Sequence, residues 1–472
     1  MAAADLTTPE VEAYLRRRTG LAASGHGVPI TRRIFASNWT WAAINLAFIS
    51  YITLWIMLRD VMRDREAEDG SRIPGLNANA LWMSAERALP TLLFWVICFI
   101  LIDRYKPQRL LVWAIALAWG GCVAVMASYY INSWVGTKIA VVDGMPGGYV
   151  LRLAVFVAPF VEESTKACII FLIVLIDRNR FASRVSGLVI GGLAGAGFAF
   201  TENIIYYARV IVYGSYTSGT GDVKAALDYL VLMRGVFTCF GHPMFTMMTG
   251  LGVAFAVTSR SKIIRVIAPL AGFLLGAFLH MFFNFFVSMV EDENLIPILL
   301  ILVWPIVIGV VIRAVVSSIR QGRMISARLA DYVAMGWLPP HYPMALSRMR
   351  SRGWTLFMSL FHGSVINTWK IQVRATELAA LREAITRGTV DHGGLYRELE
   401  IINEIAGLAR MGGMADGAGL RPYLPWNASR QRHTAALPQH RDQIMPPNPA
   451  LMEVAGPPIK YSAVDPAWRP PV

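Results

Sequence analysis

The chain has 472 residues, of which 55% are hydrophobic and only 16% are charged. A soluble protein of this length would carry about a quarter charged residues, so the composition excludes an ordinary soluble enzyme and indicates a membrane protein. The formal net charge of +13 does not indicate nucleic-acid binding, because the basic residues cluster in alternate loops between apolar segments, as the positive-inside rule describes.

Apolar segments fill the chain up to residue 316 and then stop. They predict an all-α fold, a polytopic bundle of about eight transmembrane helices over residues 41–316. The second segment is short for a bilayer that needs ~20 helical residues, so its helix is expected to begin earlier and to include Glu86 and Arg87. The predicted spans are residues 42–58, 89–102, 110–131, 149–176, 186–207, 229–257, 266–290 and 295–316.

The regions outside these spans are more polar. Residues 1–40 have no apolar core, so no cleavable signal peptide is expected, and the pattern of basic loops predicts that both termini are cytoplasmic. Residues 317–412 contain helix-periodic stretches, which predict a small cytoplasmic helical extension. Residues 413–472 are rich in Gly, Pro and Ala, and a disordered tail is expected there. The oligomeric state is left open.

Two adjacent glutamates, Glu162 and Glu163, lie in the middle of the fourth predicted span. An ionisable side chain at the centre of a membrane helix costs roughly 3 kcal/mol on insertion scales, so such residues are a sign of function. Away from the helix ends, few other strongly polar residues lie inside the spans, and together with this pair they occupy four consecutive spans. The full set is Glu162, Glu163, Lys166, Glu202, Asn203, His242, His280 and Asn284.

Depth along the helices predicts that several of these side chains meet near the middle of the bilayer. At a rise of about 1.5 Å per residue, four of them lie within about two helical turns of one depth. These four are Glu162, Glu163, His242 and His280. Glu202 is expected to be shallower unless its helix continues past Tyr207. Adjacent helical residues point about 100° apart, so one glutamate should face the site and the other support it, with Lys166 able to neutralise either.

This set of side chains suits hydrolysis. A buried carboxylate can take a proton from water, a histidine can hold that water or protonate the leaving amine, and an amide such as that of Asn284 can stabilise an oxyanion. Glu162, His242 and His280 also have the ligand count of a catalytic zinc site, although the chain has no HExxH motif. Two alternatives stay open: an ion- or proton-coupled transporter that uses the same cluster, and a scaffold that acts through residues 320–412.

Four short motifs occur in order on consecutive predicted spans, and together they resemble the PrsW family of intramembrane proteases, in the superfamily that includes the CAAX-prenyl endopeptidases. The prenyl-endopeptidase branch usually has EExxxR, whereas Lys166 stands one position earlier and favours PrsW. The likeness covers residues 145–290 and, through residues 332–339 and 375–382, extends to about residue 410. The motifs are Glu162-Glu163-x-x-Lys166, Phe198-x-x-x-Glu202, Gly241-His242-Pro243 and His280-x-x-x-Asn284.

The resemblance implies proteolysis of a membrane-associated protein in a bacterial cytoplasmic membrane, often of an anti-sigma factor. It implies that Glu162 activates water and that Glu163 supports it. It also implies that His242 and His280 bind or orient the water, or a metal, and that Asn284 stabilises the oxyanion; Glu202 is a further candidate site residue. A metal-dependent enzyme with Zn²⁺ held by Glu162, His242 and His280, and a metal-free glutamate enzyme, both remain open.

Overall fold

The computed structural model describes residues 38–66, 70, 72–103, 105, 110–143, 152–177, 181, 184–217, 222–259, 261–289, 296–386, 392–411 and 464. Within these residues the chain is almost entirely helical, and two short strands, β1 (Arg65–Glu66) and β2 (Arg72–Ile73), pair antiparallel. The predicted all-α class is therefore confirmed. Nearly all of the predicted N-terminal segment 1–40 and of the predicted tail 413–472 lies outside the described residues.

Fourteen helices are described in this part of the chain. They are α1 (Asn38–Val61), α2 (Ala78–Ile102), α3 (Leu110–Ala118), α4 (Val125–Asp143), α5 (Ala158–Asp177), α6 (Arg184–Thr217), α7 (Val223–Leu232), α8 (Gly241–Thr258), α9 (Lys262–Met289), α10 (Ile296–Ala334), α11 (Tyr342–Ser347), α12 (Met349–Leu360), α13 (Val365–Thr386) and α14 (His392–Arg410). π-Helical turns join α3 to α4, precede α5 and follow α7; they are Trp119–Ala124, Leu153–Val157 and Met233–Phe237.

Five helical segments among the described residues are long and apolar enough to cross a membrane. They are Thr40–Val61, Ala78–Ile102, Leu110–Lys138, Arg184–Gly214 and Lys262–Ser288. They match the first, second, third, fifth and seventh predicted spans, and the second does begin early enough to include Glu86 and Arg87. These segments support an integral membrane helix bundle. Eight spans were predicted, and five of them are found among the described residues.

The chain divides into two compact units. The larger unit contains residues 28–103 and 108–315, and its centre is α6, whose apolar window is 78% buried against 11–44% for the other four candidate spans. Side chains of α2, α3, α5 and α8 surround α6 in a continuous apolar core. The core residues on α6 are Val185, Leu188, Val189, Ile190, Leu193, Ala194 and Ala196.

Glycines set the distance between α6 and α8. Three of them, spaced by four residues, line the face of α6 that meets α8: Gly187, Gly191 and Gly195. The residues opposite them on α8 are, in the same order, Gly250, Thr246 and His242. A Cβ atom added to any of the three glycines would lie 2.2–2.5 Å from the carbonyl oxygen opposite it. The two backbones therefore pack as closely as small residues allow in membrane helix pairs.

Two of the boundaries that differ from the predicted spans lie near Glu202 and His242. The fifth span was predicted to end at Tyr207, but α6 continues to Thr217. The sixth was predicted as one helix over residues 229–257, whereas the π-helical turn after α7 ends at Phe237 and α8 begins at Gly241. Pro243 explains the second difference: it has no backbone N–H to donate and is tolerated in the first turn of a helix but not in its interior, so the helix starts anew close to His242.

The smaller unit contains Tyr105 and the described residues from Val316 onward, that is, the second part of α10 together with α11–α14. Its apolar core includes Ile325, Leu329, Tyr332, Leu378, Ile401 and Ile405. The Tyr332 hydroxyl donates a hydrogen bond to the fully buried Glu398 carboxylate. Burial, reinforced by the charge of Glu398, holds the pKa of Tyr332 well above its ordinary value, so the hydroxyl remains a hydrogen-bond donor.

Candidate active site

Helix α5 carries the glutamate pair and is anchored on its neighbours by backbone contacts. Trp119 Nε1 donates to the carbonyl oxygen of Thr165 at 2.9 Å, and the hydroxyl groups of Thr165 and Ser128 lie 2.8 Å apart. These bonds fix the rotation of α5. Glu162, Glu163 and Lys166 consequently point into the bundle, where they are 8%, 0% and 0% exposed.

Glu163 is held by three side chains. Its Oε1 lies 2.6 Å from Lys166 Nζ and 3.2 Å from His280 Nδ1, and its Oε2 accepts a hydrogen bond from Thr246 Oγ1 at 2.9 Å. A fully buried carboxylate is tolerated only when its oxygens are paired in this way. Glu163 therefore links α5, α8 and α9 and orients the imidazole of His280.

Glu162 has a different environment. Its Oε2 is 3.8 Å from Lys166 Nζ, 3.9 Å from His242 Nδ1 and 3.9 Å from His280 Nε2. This oxygen accepts no hydrogen bond from any residue that the structure describes, although it is buried. An acceptor surrounded at this distance by three nitrogen groups is positioned to hold a small polar species between them, such as water or a cation.

His242 bridges the glutamate pair and α6. Its Nε2 lies 2.8 Å from Glu202 Oε2, and its Nδ1 lies 3.0 Å from Lys166 Nζ. A lysine ammonium group can only donate, so with Lys166 charged the Nδ1 atom accepts and the Nε2 proton faces Glu202. The contact with Glu202 exists because α6 continues past Tyr207, which keeps the helix regular at this carboxylate. Glu202 thus lies beside the other site residues and not at the end of its helix.

Arg234 belongs to the same cluster and was not among the predicted site residues. Its Nη2 donates to Glu202 Oε2 at 2.5 Å, its Nε donates to Asn203 Oδ1 at 2.8 Å, and its guanidinium stacks 4.1 Å from the centre of the Tyr206 ring. A signal for it was present in the sequence, because a basic residue inside the predicted span 229–257 needs an acidic partner on a neighbouring helix.

Asn284 lies one turn after His280 on α9. Its side-chain Nδ2 donates to the backbone oxygen of Ala154 at 2.8 Å, in the π-helical turn Leu153–Val157. The π-helical turn leaves this carbonyl oxygen available to a side chain. The structure therefore brings five of the predicted site residues together and ties the sixth, Asn284, to the segment that enters α5. The five are Glu162, Glu163, Glu202, His242 and His280.

The cluster contains a set of atoms that fits a metal ion. One oxygen of Glu162 and one ring nitrogen each of His242 and His280 lie within 4.8 Å of one another. The second nitrogen of each imidazole faces a carboxylate, Glu202 for His242 and Glu163 for His280. Histidines that bind metals generally have such a partner, and two histidines with one glutamate suit Zn²⁺. The donor set therefore fits, and a cation bound at His242 Nδ1 would displace Lys166 from that nitrogen, because the nitrogen has a single lone pair.

Comparison with known proteins agrees with this site. Residues 106–310 match the family model described as PrsW family intramembrane metalloprotease. No curated protein and no solved structure matches the chain. The match contains all four motifs that carried the resemblance, so the predicted resemblance is confirmed over residues 106–310, and it supports a hydrolase of the membrane protease type. It favours a peptidase over the transporter, and it makes a metal plausible without identifying one.

Proposed function

We propose, on the premise that residues 106–310 belong to the PrsW family of intramembrane metalloproteases, that the protein is an endopeptidase that cleaves a membrane-associated protein. An anti-sigma factor is the candidate substrate that the family resemblance suggests. The observation that carries the proposal is Glu162 Oε2, a buried oxygen without a hydrogen-bond partner among the described residues, which faces His242 and His280 at 3.9 Å each.

In the proposed reaction, water occupies the space between Glu162, His242 and His280. Glu162 takes the proton as the water oxygen attacks the scissile carbonyl carbon, which converts that carbon to a tetrahedral oxyanion. Lys166 and Asn284 supply hydrogen-bond donors for this oxyanion. The intermediate then collapses: the C–N bond breaks as His242 or His280 donates a proton to the leaving amine, and the proton held by Glu162 restores that histidine. Glu163 and Glu202 hold the two imidazoles in the required orientation.

A metal would be held by Glu162, His242 and His280. When bound there, Zn²⁺ would supply Lewis-acid polarisation of the substrate carbonyl and lower the pKa of a coordinated water. The carboxylates opposite each imidazole support this reading, and the contact of Lys166 with His242 supports a metal-free glutamate enzyme. Both forms of the enzyme use the same residues of the chain.

The proposed architecture is a bundle of eight spans in a bacterial cytoplasmic membrane, with both termini in the cytoplasm. Residues 317–412 form a cytoplasmic helical extension. The basic loops on alternate sides of the predicted spans support this orientation. An intramembrane site of this kind also needs a water-lined cavity among the fourth to seventh spans, because a substrate backbone requires polar partners at that depth.

The test is cleavage of candidate membrane-protein substrates by the purified protein in lipid nanodiscs. Glu162→Gln should reduce the cleavage rate by about 10²–10⁴, and the matched exposed variant Glu66→Gln should cleave at the wild-type rate. Equal cleavage by Glu162→Gln and wild type would refute the assignment. Elemental analysis of the same preparations, with His242→Ala as the control, distinguishes a metal-dependent from a metal-free enzyme. Uptake driven by a pH gradient in liposomes, without cleavage, would instead support the transporter.

A further inference from the structure

The smaller unit exposes a group of large apolar side chains at the end of α12 and the start of α13, which we call the aromatic patch. Its members are Trp354, Phe357, Leu360, Phe361, Ile366 and Trp369, each 39–71% exposed. The rings follow one another closely: Trp354 and Phe357 have centroids 5.8 Å apart, and Phe357 and Phe361 are 5.3 Å apart. Contiguous apolar surface of this kind marks an interaction site, whereas single exposed apolar residues do not.

Helix α12 buries only polar residues, which are Arg352, Thr355 and Ser359. Helix α13 buries Thr368, Gln372 and Thr376 together with apolar core residues along the helix. These polar groups satisfy each other: Gln372 Nε2 donates to Thr355 Oγ1 at 2.8 Å, and Arg352 Nη1 donates to Thr376 Oγ1 at 3.0 Å. Helix α12 thus buries polar groups and exposes aromatic ones, which suits an apolar surrounding on its outer face.

The surface around the aromatic patch is basic. Residues 332–376 contain five Lys and Arg and no Asp or Glu. Arg352 is buried, and Arg374 is 2.7 Å from Glu377 and 2.5 Å from Glu404. The other three basic residues, Arg348, Arg350 and Lys370, are exposed. Exposed Trp and Phe beside unneutralised Lys and Arg are the combination that binds the interface of an anionic bilayer.

We propose that the aromatic patch inserts into the headgroup region of an anionic bilayer, with Arg348, Arg350 and Lys370 contacting lipid phosphates. The chain's own remaining segments are poor competitors for this surface on grounds of charge. Residues 1–37 contain five Lys and Arg against three Asp and Glu, and residues 412–472 contain six against four. An anionic leaflet offers the complementary charge, and the cytoplasmic leaflet is anionic in the orientation proposed above.

The test measures side-chain accessibility in the full-length protein by hydroxyl-radical oxidation, read by mass spectrometry. The protein is reconstituted in nanodiscs of phosphatidylcholine alone or with about one third phosphatidylglycerol. Oxidation of Trp354, Phe357, Phe361 and Trp369 is expected to slow at least about threefold in the anionic nanodiscs, since each basic residue near an anionic surface contributes about fivefold to binding. Met344, which is 50% exposed outside the aromatic patch, should be oxidised equally in both.

A triple variant, Arg348→Glu, Arg350→Glu and Lys370→Glu, is the matched control. It should lose the protection in anionic nanodiscs while cleaving substrate at the wild-type rate in detergent, because none of the three residues belongs to the catalytic cluster. Equal oxidation of the aromatic patch in both lipid mixtures would overturn the proposal. Protection that persists in the triple variant and in lipid-free detergent would also overturn the proposal. In that case a protein segment or a second copy of the chain would cover the aromatic patch.

Discussion

Lys166 Nζ lies 3.0 Å from His242 Nδ1, so a fully buried lysine contacts the same imidazole nitrogen that a metal ion would need. The same Nζ is 2.6 Å from Glu163 Oε1 and 4.1 Å from the centre of the Phe198 ring. Lys166 therefore places a positive charge at the centre of the cluster without any metal. Whether the cluster binds a cation depends on how strongly the Lys166 ammonium group repels that cation.

Removing the charge of Lys166 is expected to strengthen metal binding. Two unit charges about 4 Å apart interact by about 4 kcal/mol at an effective dielectric constant of 20. We therefore expect Lys166→Met to bind Zn²⁺ at least about tenfold more tightly than the wild type, measured by isothermal titration in detergent. Lys262→Met, at an exposed position, should leave the affinity unchanged. Weaker binding by Lys166→Met than by wild type would mean that Lys166 supports the metal site.

The two glutamates should respond differently to the same substitution. In Glu163→Gln, Lys166 and His280 lose a buried carboxylate partner, and the expected loss of stability is about 3–5 kcal/mol. Glu162→Gln should change stability by about 1 kcal/mol or less, because Oε2 has no hydrogen bond to lose among the described residues. Thermal unfolding in detergent measures both. A larger loss of stability in Glu162→Gln than in Glu163→Gln would indicate that Glu163 reacts with water and that Glu162 supports it.

Arg234 is expected to act on the reaction through Glu202 and His242. Arg234→Met removes the donor that holds Glu202 Oε2 at 2.5 Å, and the imidazole loses its fixed orientation. We expect kcat to fall about tenfold or more with little change in KM, and Arg234→Lys to restore part of the rate because it keeps a cation beside Glu202. Arg209→Met is the control, since Arg209 lies 6.0 Å from the same Tyr206 ring. An equal loss in Arg209→Met would indicate a general effect on folding.

Gly195→Ala should displace the first turn of α8. Its Cβ would lie 2.3 Å from the carbonyl oxygen of His242, so the helices must separate, at an expected loss of about 1–3 kcal/mol. Both the rate of substrate cleavage and the unfolding temperature should decrease, because the His242 side chain moves with the displaced backbone. Gly214→Ala on the same helix meets its nearest atom at 3.4 Å and should be neutral or stabilising. If Gly195→Ala cleaves substrate at the wild-type rate, α8 adapts to the added methyl group without moving His242.

The family and its candidate residues could be recognised from the sequence because lipid penalises charged and polar side chains. Glu162, Glu163, His242 and His280 stand out in apolar segments, and their depths follow from the rise per residue. The same reasoning left the depth of Glu202 dependent on where its helix ends, and the helix predicted to end near Tyr207 continues to Thr217. Hydropathy does not reveal such an end, since the last turns of α6 are stabilised by contacts with other helices, such as α7.

The apolar segments by themselves determined an all-α membrane protein, and the order of four motifs predicted the family that residues 106–310 match, since both depend on residue types at regular spacing. Only the tertiary structure decided which glutamate is paired and which faces the two histidines. It also revealed Arg234 as the partner of Glu202, the helix start beside His242, and the contact of Asn284 with Ala154. These features depend on helix rotation and separation, which are set by close packing at Gly187, Gly191 and Gly195 and cannot be read from periodicity alone.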